Sequence, residues 1–213
     1  MTSRTPIACW RPSSMREVEL KGFAISDAEA QEARARLERA GAALVYEGRL
    51  EDRRYDMPDK SLALRDHVLR LRVYRGARIV TSLDFKGPTG YAEGFKVREE
   101  LTVGADDPVA LARILEAMGY VITREIDREI VQYTLAGATV RFERYPRMDI
   151  LIEVEGTPEA IEAAIAALAL PRERFTAERL PDFVLKFESR TGERAALCDR
   201  ELDGEYRYSP YDA

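Results

Sequence analysis

Charged and apolar residues alternate along several short segments of this chain. The first is 17–21, which reads Glu-Val-Glu-Leu-Lys. A period of two is typical of a β-strand, because successive side chains of a strand point to opposite faces. The carboxylates of Glu17 and Glu19 and the ammonium of Lys21 are therefore predicted to share one face, with Val18 and Leu20 on the other.

The same alternation predicts further strands at 42–46, 53–56, 68–75, 78–86, 94–103, 120–135, 140–145 and 149–155. We expect the first two of these to be pieces of one long strand. Short turns at Gly76-Ala77 and Gly137 connect neighbouring strands. Connections of that length favour antiparallel pairing, because parallel strands need long crossovers.

Helices are predicted at 28–40, 106–118, 156–170 and 176–188 from their composition and end signals. Ser26 and Asp27 provide N-cap chemistry before the first helix, and Gly41 ends it. Pro108 suits the first turn of the second helix, where its missing N–H is not needed. Strands grouped between helices in this way predict an α+β fold. The polar segment 191–213 is expected to be mostly disordered.

Composition describes a globular protein with many compensated charges. The chain has 213 residues, 46% of them hydrophobic and 33% charged, and 33 basic residues nearly balance 38 acidic ones. No basic footprint for nucleic acid is suggested. The longest apolar run, 163–170, is too short to span a membrane, and the start lacks the apolar core of a signal peptide. We therefore expect a cytoplasmic protein.

Cysteine and histidine chemistry is not indicated. Cys9 and Cys198 are far apart and fit no metal or redox spacing, so both are interpreted as incidental. His67 is the only histidine, and no nucleophile motif accompanies it. Zinc favours cysteine and histidine ligands, so a zinc site is not expected.

Charges of both signs dominate the polar faces of the predicted strands. The guanidinium group of arginine binds phosphate oxygens through two parallel hydrogen bonds. Paired carboxylates supply the hard oxygen ligands that suit Mg²⁺ or Mn²⁺. The basic positions are Lys21, Arg70, Arg72, Lys86, Lys96, Arg98 and Arg128, and the carboxylates are Glu17, Glu19, Glu143, Glu153 and Glu155.

Two arrangements of these faces stay open from the pattern alone. If the sheet closes with its charges inside, it forms a basic tunnel with an acidic metal patch, suited to a polyphosphate chain. If the charges face outward, they form surface ion pairs that contribute little to stability.

Six motifs, in order along the chain, resemble those of one family. Residues 17–21 match the ExExK signature of the CYTH superfamily, the triphosphate tunnel metalloenzymes. The chain is most similar to the branch of class IV adenylyl cyclases and thiamine triphosphatases, over residues 16 to about 180. The other motifs are Leu69-Arg70-Leu71-Arg72, Phe85-Lys86-Gly87-Pro88, Arg98-Glu99-Glu100, Arg128-Glu129-Ile130 and Glu153-Val154-Glu155.

The resemblance implies a closed eight-stranded antiparallel β-tunnel with a charged interior, flanked by helices. It implies one such domain at 16–190, an N-terminal tail at 1–15 and a polar tail at 191–213. Relatives are often dimers, so a homodimer is compatible with it.

The resemblance also assigns roles to residues. Mg²⁺ or Mn²⁺ would be held by Glu17, Glu19, Glu153 and Glu155, with Glu143 where relatives usually have aspartate. A small-molecule triphosphate would be bound by Lys21, Arg70, Arg72, Lys86, Arg98 and Arg128. Glu100 would orient the basic residues or a water, and would act in catalysis together with Lys21 and Arg128.

Three functions follow as alternatives. The first is metal-dependent hydrolysis of ATP, inorganic triphosphate or thiamine triphosphate. The second is conversion of ATP to cyclic AMP and pyrophosphate, although the His-Phe pair that precedes ExExK in one group of these cyclases is missing. The third is binding without turnover, because Ile126 stands where relatives often have lysine. A catalytic chain would then need another base, for which Lys96 is a candidate.

Overall fold

A computed structural model describes residues 15–207 of the chain and the side chains from residue 18 onward. Residues 1–14, in the expected N-terminal tail, and 208–213 lie outside the described part. Nine strands are present in that part: β1 (Met15–Ala24), β2 (Ala43–Asp56), β3 (Val68–Arg75), β4 (Ile79–Lys86), β5 (Gly90–Ala92), β6 (Phe95–Ala105), β7 (Val121–Leu135), β8 (Ala138–Arg144) and β9 (Ile150–Glu155). The α-helices are α1 (Asp27–Arg39), α2 (Pro108–Ala117), α3 (Pro158–Leu168), α4 (Leu180–Thr191) and α5 (Asp199–Leu202).

Eight of these strands close into a ring. The order is β1-β9-β8-β7-β2-β3-β4-β6, and β6 pairs again with β1. All pairings are antiparallel. The ninth strand, β5, is short, pairs with β6 and lies outside the ring. The structure thus confirms the predicted α+β class and the closed eight-stranded antiparallel tunnel.

The alternating pattern places charge inside the ring and apolar residues outside it. In β9, Glu153 and Glu155 line the interior, whereas Ile152 and Val154 are buried on the outer side. This arrangement reverses the usual barrel, in which apolar side chains fill the centre. Of the two arrangements left open by the sequence pattern, the structure shows the one with the charges inside the ring.

The hydrophobic core consequently lies between the outer face of the ring and the helices. The largest cluster joins α1 and α3 to β1, β8 and β9, and it includes Leu37, Ile161 and Leu168. A second cluster sets Leu115 of α2 against Leu71 of β3. A third contains Phe183 and Val184 of α4. Burial of these side chains, at about 25 cal/mol per Å², holds the helices against the ring.

Helix ends follow the local signals in the sequence for α1, α2 and α3. The hydroxyl of Ser26 accepts a hydrogen bond from the backbone of Glu29 at 3.2 Å. Gly41 follows α1 with a φ of +89°, a conformation that glycine adopts without strain. Asp107 and Thr157 cap α2 and α3, each ahead of a proline.

The predicted fourth helix starts too early. It was expected at 176–188, but α4 spans Leu180–Thr191. Thr176 is extended, because it pairs with Lys21 of β1 through two backbone hydrogen bonds. The N–H of each residue donates to the carbonyl of the other at 2.9 Å. This contact with a distant strand has no signature in the local sequence.

The expectation of disorder after residue 190 is wrong for the segment 195–202. Ala196, Leu197 and Cys198 are buried, and α5 follows them. The carbonyl of Leu197 accepts a hydrogen bond from the N–H of Asp127 at 2.7 Å, and Ala196 pairs with Arg147. The segment therefore covers the part of β7 that β8 does not reach.

Two remaining sequence expectations concern the cysteines and the membrane. Burial raises the pKa of the Cys198 thiol to about 11, which leaves it unreactive, and Cys9 lies outside the described residues. Between residues 15 and 207, no helix is both long and apolar enough to cross a membrane.

Candidate active site

A cavity of about 930 Å³ runs inside the ring, and all eight ring strands contribute to its walls. Ten basic and eight acidic side chains of the described residues line it. Eleven of the twelve predicted site residues are among them: Glu19, Lys21, Arg70, Arg72, Lys86, Arg98, Glu100, Arg128, Glu143, Glu153 and Glu155. The twelfth, Glu17, pairs through its backbone with Arg98 across β1 and β6, and its side chain lies outside the described part.

Three carboxylates form a cluster that fits a divalent cation. Glu19, Glu153 and Glu155 can each place one oxygen within 4.8 Å of the other two. Register explains this, because Glu19 lies opposite Glu155, and Lys21 opposite Glu153, across β1 and β9. Ligand oxygens around one Mg²⁺ or Ca²⁺ lie about 2.0–2.6 Å from the ion, so oxygens at this spacing can converge on it with small rotamer changes.

Each carboxylate of this cluster is already paired with a basic side chain. Glu19 contacts Lys96, and Glu153 contacts Lys21. Arg141 lies 2.5 Å from Glu153 and 3.6 Å from Glu155. A cation in this cluster would therefore compete with Lys21, Lys96 and Arg141 for the carboxylate oxygens.

Lys21 is held in its charged form. Burial alone would lower its pKa, but the carboxylates of Glu153, Glu143 and Glu19 together raise the pKa of Lys21 above its usual range. A protonated lysine donates hydrogen bonds and neutralises charge. Its environment therefore suits phosphate binding.

Asp52 connects the arginines on the opposite wall. Its carboxylate accepts hydrogen bonds from Arg72 Nε at 2.8 Å, from Arg128 Nη1 at 3.1 Å and from Arg70 Nη1 at 3.5 Å. Only 1% of Asp52 is exposed. Burial alone would raise the pKa of Asp52, but Arg72, Arg70 and Arg128 together hold it well below its usual range.

Glu143 joins this wall to the acidic cluster. Its Oε1 accepts from Arg128 Nε at 3.0 Å, and its Oε2 accepts from the hydroxyl of Tyr145 at 2.7 Å. Lys21 lies 3.8 Å from the same carboxylate. Its predicted role as a metal ligand stays a prediction, and in this arrangement both oxygens serve to orient neighbouring groups.

The remaining basic residues lie further along the tunnel. Arg70 Nη2 donates to Asp84 at 2.8 Å and to Glu100 at 3.4 Å, and Lys86 lies 3.1 Å from Glu100. Arg98 donates to the backbone carbonyls of Gly87 and Asp66, at 2.7 and 2.6 Å. Glu100 thus contacts two basic side chains, and its implied role of orienting such groups or a water stays a prediction.

These contacts form one chain of ion pairs, from Glu155 through Arg141, Glu153, Lys21, Glu143, Arg128, Asp52 and Arg70 to Glu100 and Lys86. Buried ion pairs contribute little net stability, because desolvation offsets their attraction. The arrangement instead holds many positive groups in fixed positions around an open cavity. Such a cavity can bind a polyanion without first ordering its own side chains.

Comparison with known proteins agrees with this geometry. The family model of the CYTH domain matches residues 15–174. The chain belongs to the CYTH domain family. No protein with a curated description matches the sequence significantly.

Solved structures share the fold of this CYTH domain at low sequence identity. A candidate adenylate cyclase from Vibrio parahaemolyticus has a TM-score of 0.68 at 15% identity, over 81% of this chain and 99% of that one. A protein from Pyrococcus horikoshii has a TM-score of 0.66 at 23% identity, over 80% of this chain and 98% of that one. A candidate adenylyl cyclase from Hippeastrum has a TM-score of 0.60 at 17% identity, over 85% of this chain and 98% of that one.

Several lining residues of the CYTH domain were missed by sequence reasoning. Asp52, Arg54, Asp84, Arg141 and Tyr145 all face the cavity. Alternation could have indicated Asp84 and Arg141, which share strand faces with Lys86 and Glu143. It gives no signal for Asp52, because residues 51–54 are all charged and both faces of β2 look alike.

Two residues singled out by the family comparison have clear positions. Ile126 lines the cavity opposite Asp52 of β2, and it also packs against Tyr145, Leu151 and Phe183. Lys96 contacts Glu19 of the acidic cluster. The idea that Lys96 acts as a base in place of the missing lysine stays a prediction.

Acid should destabilise this protein through its buried carboxylates. Four carboxylates have pKa values below their usual range: Asp52, Asp84, Glu143 and Glu153. Burial by itself would raise each pKa, but the neighbouring basic groups lower it by more. Their stabilising contribution is complete above the unfolded-state values of about 3.9 to 4.3 and is lost as pH falls through the folded-state values. The free energy of unfolding should then fall by about 1.4 kcal/mol per pH unit for each such group.

Urea unfolding between pH 3 and 7 measures this dependence. The variant Asp84→Asn lacks one of the four groups, so its stability should change less steeply with pH below about 4. Equal slopes for the variant and the wild type would contradict the assignment of a lowered pKa to Asp84.

Proposed function

We propose that this CYTH domain is a divalent-metal-dependent triphosphatase that hydrolyses a phosphoanhydride bond of a small-molecule triphosphate. The observation that carries the proposal is the joint placement of basic walls and a three-carboxylate cluster inside the cavity of the ring. A triphosphate carries several negative charges along an extended chain. The tunnel offers positive groups along its length and a cluster of three carboxylates at one place.

The basic residues bind and straighten the triphosphate in this proposal. Arg70, Arg72 and Arg128 are held by Asp52 with hydrogen-bond donors left for phosphate oxygens. Lys21 and Arg141, which contact Glu153, would donate to phosphate oxygens of a substrate bound beside the cluster. Fixed positive groups stabilise the charge that spreads over the transferred phosphoryl group in the transition state.

Glu19, Glu153 and Glu155 would hold the Mg²⁺ or Mn²⁺, and Glu17 stays a further predicted ligand. The bound cation would supply charge neutralisation to the phosphate oxygens and a template for the attacking water. The chain's own contribution is to fix the substrate in line with that water and to exclude bulk solvent. Positioning of this kind accounts for much of the catalysis in phosphoryl transfer.

Hydrolysis is favoured over cyclisation as the reaction. The Hippeastrum protein of similar fold is a candidate adenylyl cyclase that reveals a dominant triphosphatase activity. The cavity described above is lined by groups suited to phosphates, and cyclisation would additionally require a nucleoside to be held in a set orientation.

Product analysis tests the proposal. The protein is incubated with tripolyphosphate, thiamine triphosphate and ATP, each with Mg²⁺ or Mn²⁺ and with chelator as control. We expect metal-dependent release of phosphate and no cyclic AMP. Release of cyclic AMP and pyrophosphate from ATP would show that the protein is a cyclase and not a hydrolase. Metal-dependent binding without turnover of any substrate would show that the domain is a non-catalytic binder.

A further inference from the structure

Arg54 is a tunnel residue with no role in the ion-pair chain. It lies on β2 and lines the cavity beside Asp52. Its strand neighbours are Arg124 of β7 and Arg70 of β3, so three arginines stand side by side across three strands. Arg70 and Arg124 have carboxylate partners on other elements, because Arg70 donates to Asp84 at 2.8 Å and Arg124 lies 3.8 Å from Glu201.

No hydrogen bond or ion pair satisfies the guanidinium of Arg54 within residues 18–207, and its Nε is buried without a partner. Asp52 is the nearest candidate on the same strand, but its carboxylate is shared by three other arginines. The other nine basic side chains of the cavity each contact a carboxylate or a carbonyl: Lys21, Arg70, Arg72, Lys86, Lys96, Arg98, Arg128, Arg141 and Arg179. Arg54 is therefore the exception in this wall.

The position of Arg54 beside other positive charges changes its pKa. Burial, together with the positive charges of Arg70, Arg124 and Arg128, lowers the pKa of Arg54 to about 9, against the opposing effect of Asp52. The group still carries its charge at neutral pH. Arg54 is half-buried, and its buried Nε has no acceptor among the described residues, an arrangement that is unfavourable unless an anion completes the site.

We propose that Arg54 forms an anion subsite that binds one phosphate group of the substrate. The inference rests on the proposed function, which supplies a substrate with several phosphate groups. A phosphate oxygen would provide the missing acceptor for the buried Nε and a negative charge beside Arg54. Arginine suits this task because its planar donors match two phosphate oxygens at once.

The subsite is separate from the carboxylate cluster. Arg54 lies on β2, which is four strands from β1 and three from β9 in the ring, whereas Glu19 lies on β1 and Glu153 and Glu155 lie on β9. The phosphate held there is therefore not the one nearest the cation. Binding at Arg54 should require no metal, whereas the cation should add affinity at the other end of the substrate.

Calorimetric titration with tripolyphosphate in the presence of chelator tests the subsite. Arg54→Gln removes the charge and keeps a similar volume, and we expect it to weaken metal-free binding by about 10- to 100-fold, the effect of one charge-assisted contact. The matched control is Arg53→Gln on the same strand. Arg53 lies outside the cavity and pairs with Asp127 at 2.7 Å, so its loss should leave binding unchanged.

Thermal unfolding separates this role from a structural one. Without anion, Arg54→Gln should be at least as stable as the wild type, because it removes a half-buried charge that has no hydrogen-bond acceptor and stands beside other arginines. Tripolyphosphate should raise the Tm of the variant less than that of the wild type. If Arg54→Gln does not fold, Arg54→Lys keeps the charge but loses the paired donors, and it should bind tripolyphosphate more weakly than the wild type.

The outcomes distinguish the subsite from the proposed function. Equal affinity of tripolyphosphate for the wild type and for the folded Arg54 variant would overturn the subsite, whatever the activity. Weaker binding by the variant in a protein that turns over no triphosphate would retain the subsite and reject the hydrolase. In an active protein, the variant should raise KM with little change in kcat, as expected for a contact made equally in the ground and transition states.

Discussion

Replacing Asp52 by asparagine should reduce the free energy of unfolding by about 3–5 kcal/mol, the range measured when one partner of a buried ion pair is removed. The carboxylate is buried and compensates Arg70, Arg72 and Arg128. Asparagine has the same shape but no charge, so three guanidinium groups would lose their shared counter-charge. Repulsion among them would add to the lost hydrogen bonds.

Urea unfolding of Asp52→Asn at neutral pH measures the effect. Glu51→Gln is the matched control, because Glu51 is the preceding residue of β2 and pairs with Arg49 and Arg75 outside the cavity. Its loss should cost about 1 kcal/mol or less. Tripolyphosphate should restore part of the stability of Asp52→Asn, because the anion supplies negative charge to the same arginines. A variant as stable as the wild type would show that Asp52 is not the central counter-ion.

Glu153→Gln should lower kcat/KM for tripolyphosphate with Mg²⁺ by on the order of 10²- to 10³-fold. Glu153 is the member of the acidic cluster that also contacts Lys21 and Arg141. Removing its charge weakens cation binding and frees both basic groups from their fixed positions. Several kcal/mol of transition-state stabilisation can be lost with a metal contact, and each 1.4 kcal/mol corresponds to about tenfold in rate.

Steady-state kinetics over a range of Mg²⁺ concentrations check this result. Excess Mg²⁺ should restore part of the activity if weaker cation binding dominates the loss. Glu159→Gln serves as control, because that exposed carboxylate lies four residues beyond Glu155 and outside the cavity. Unchanged kinetics of Glu153→Gln would place the metal site elsewhere.

Strand positions and the composition of each face were predictable, because period-two alternation depends only on neighbouring residues. The expected strand at 68–75 coincides with β3, and the expected helix at 28–40 differs from α1 by one residue at each end. Two expectations were wrong where a distant segment decides the conformation. Thr176 is held extended by Lys21, and residues 196–198 are buried against β7 and Arg147.

The candidate site was predictable for residues that belong to a recognisable motif. Eleven such residues line the cavity, although their roles stay predictions until they are tested. Asp52 and Arg54 were not predictable, because they lie in the run 50–54, Leu-Glu-Asp-Arg-Arg, where charge occupies both faces of the strand. Only the closed ring shows which of these charges point inward.

The sequence by itself determined the strands, the charged character of one face of each, and the family. It determined these because local alternation and short motifs are properties of contiguous residues. The tertiary structure alone decided that the charged faces converge, that Asp52 is shared by three arginines, and that Arg54 has no partner within the described residues. Those facts depend on the register between strands far apart in the chain, because ring closure brings together residues that no local pattern relates.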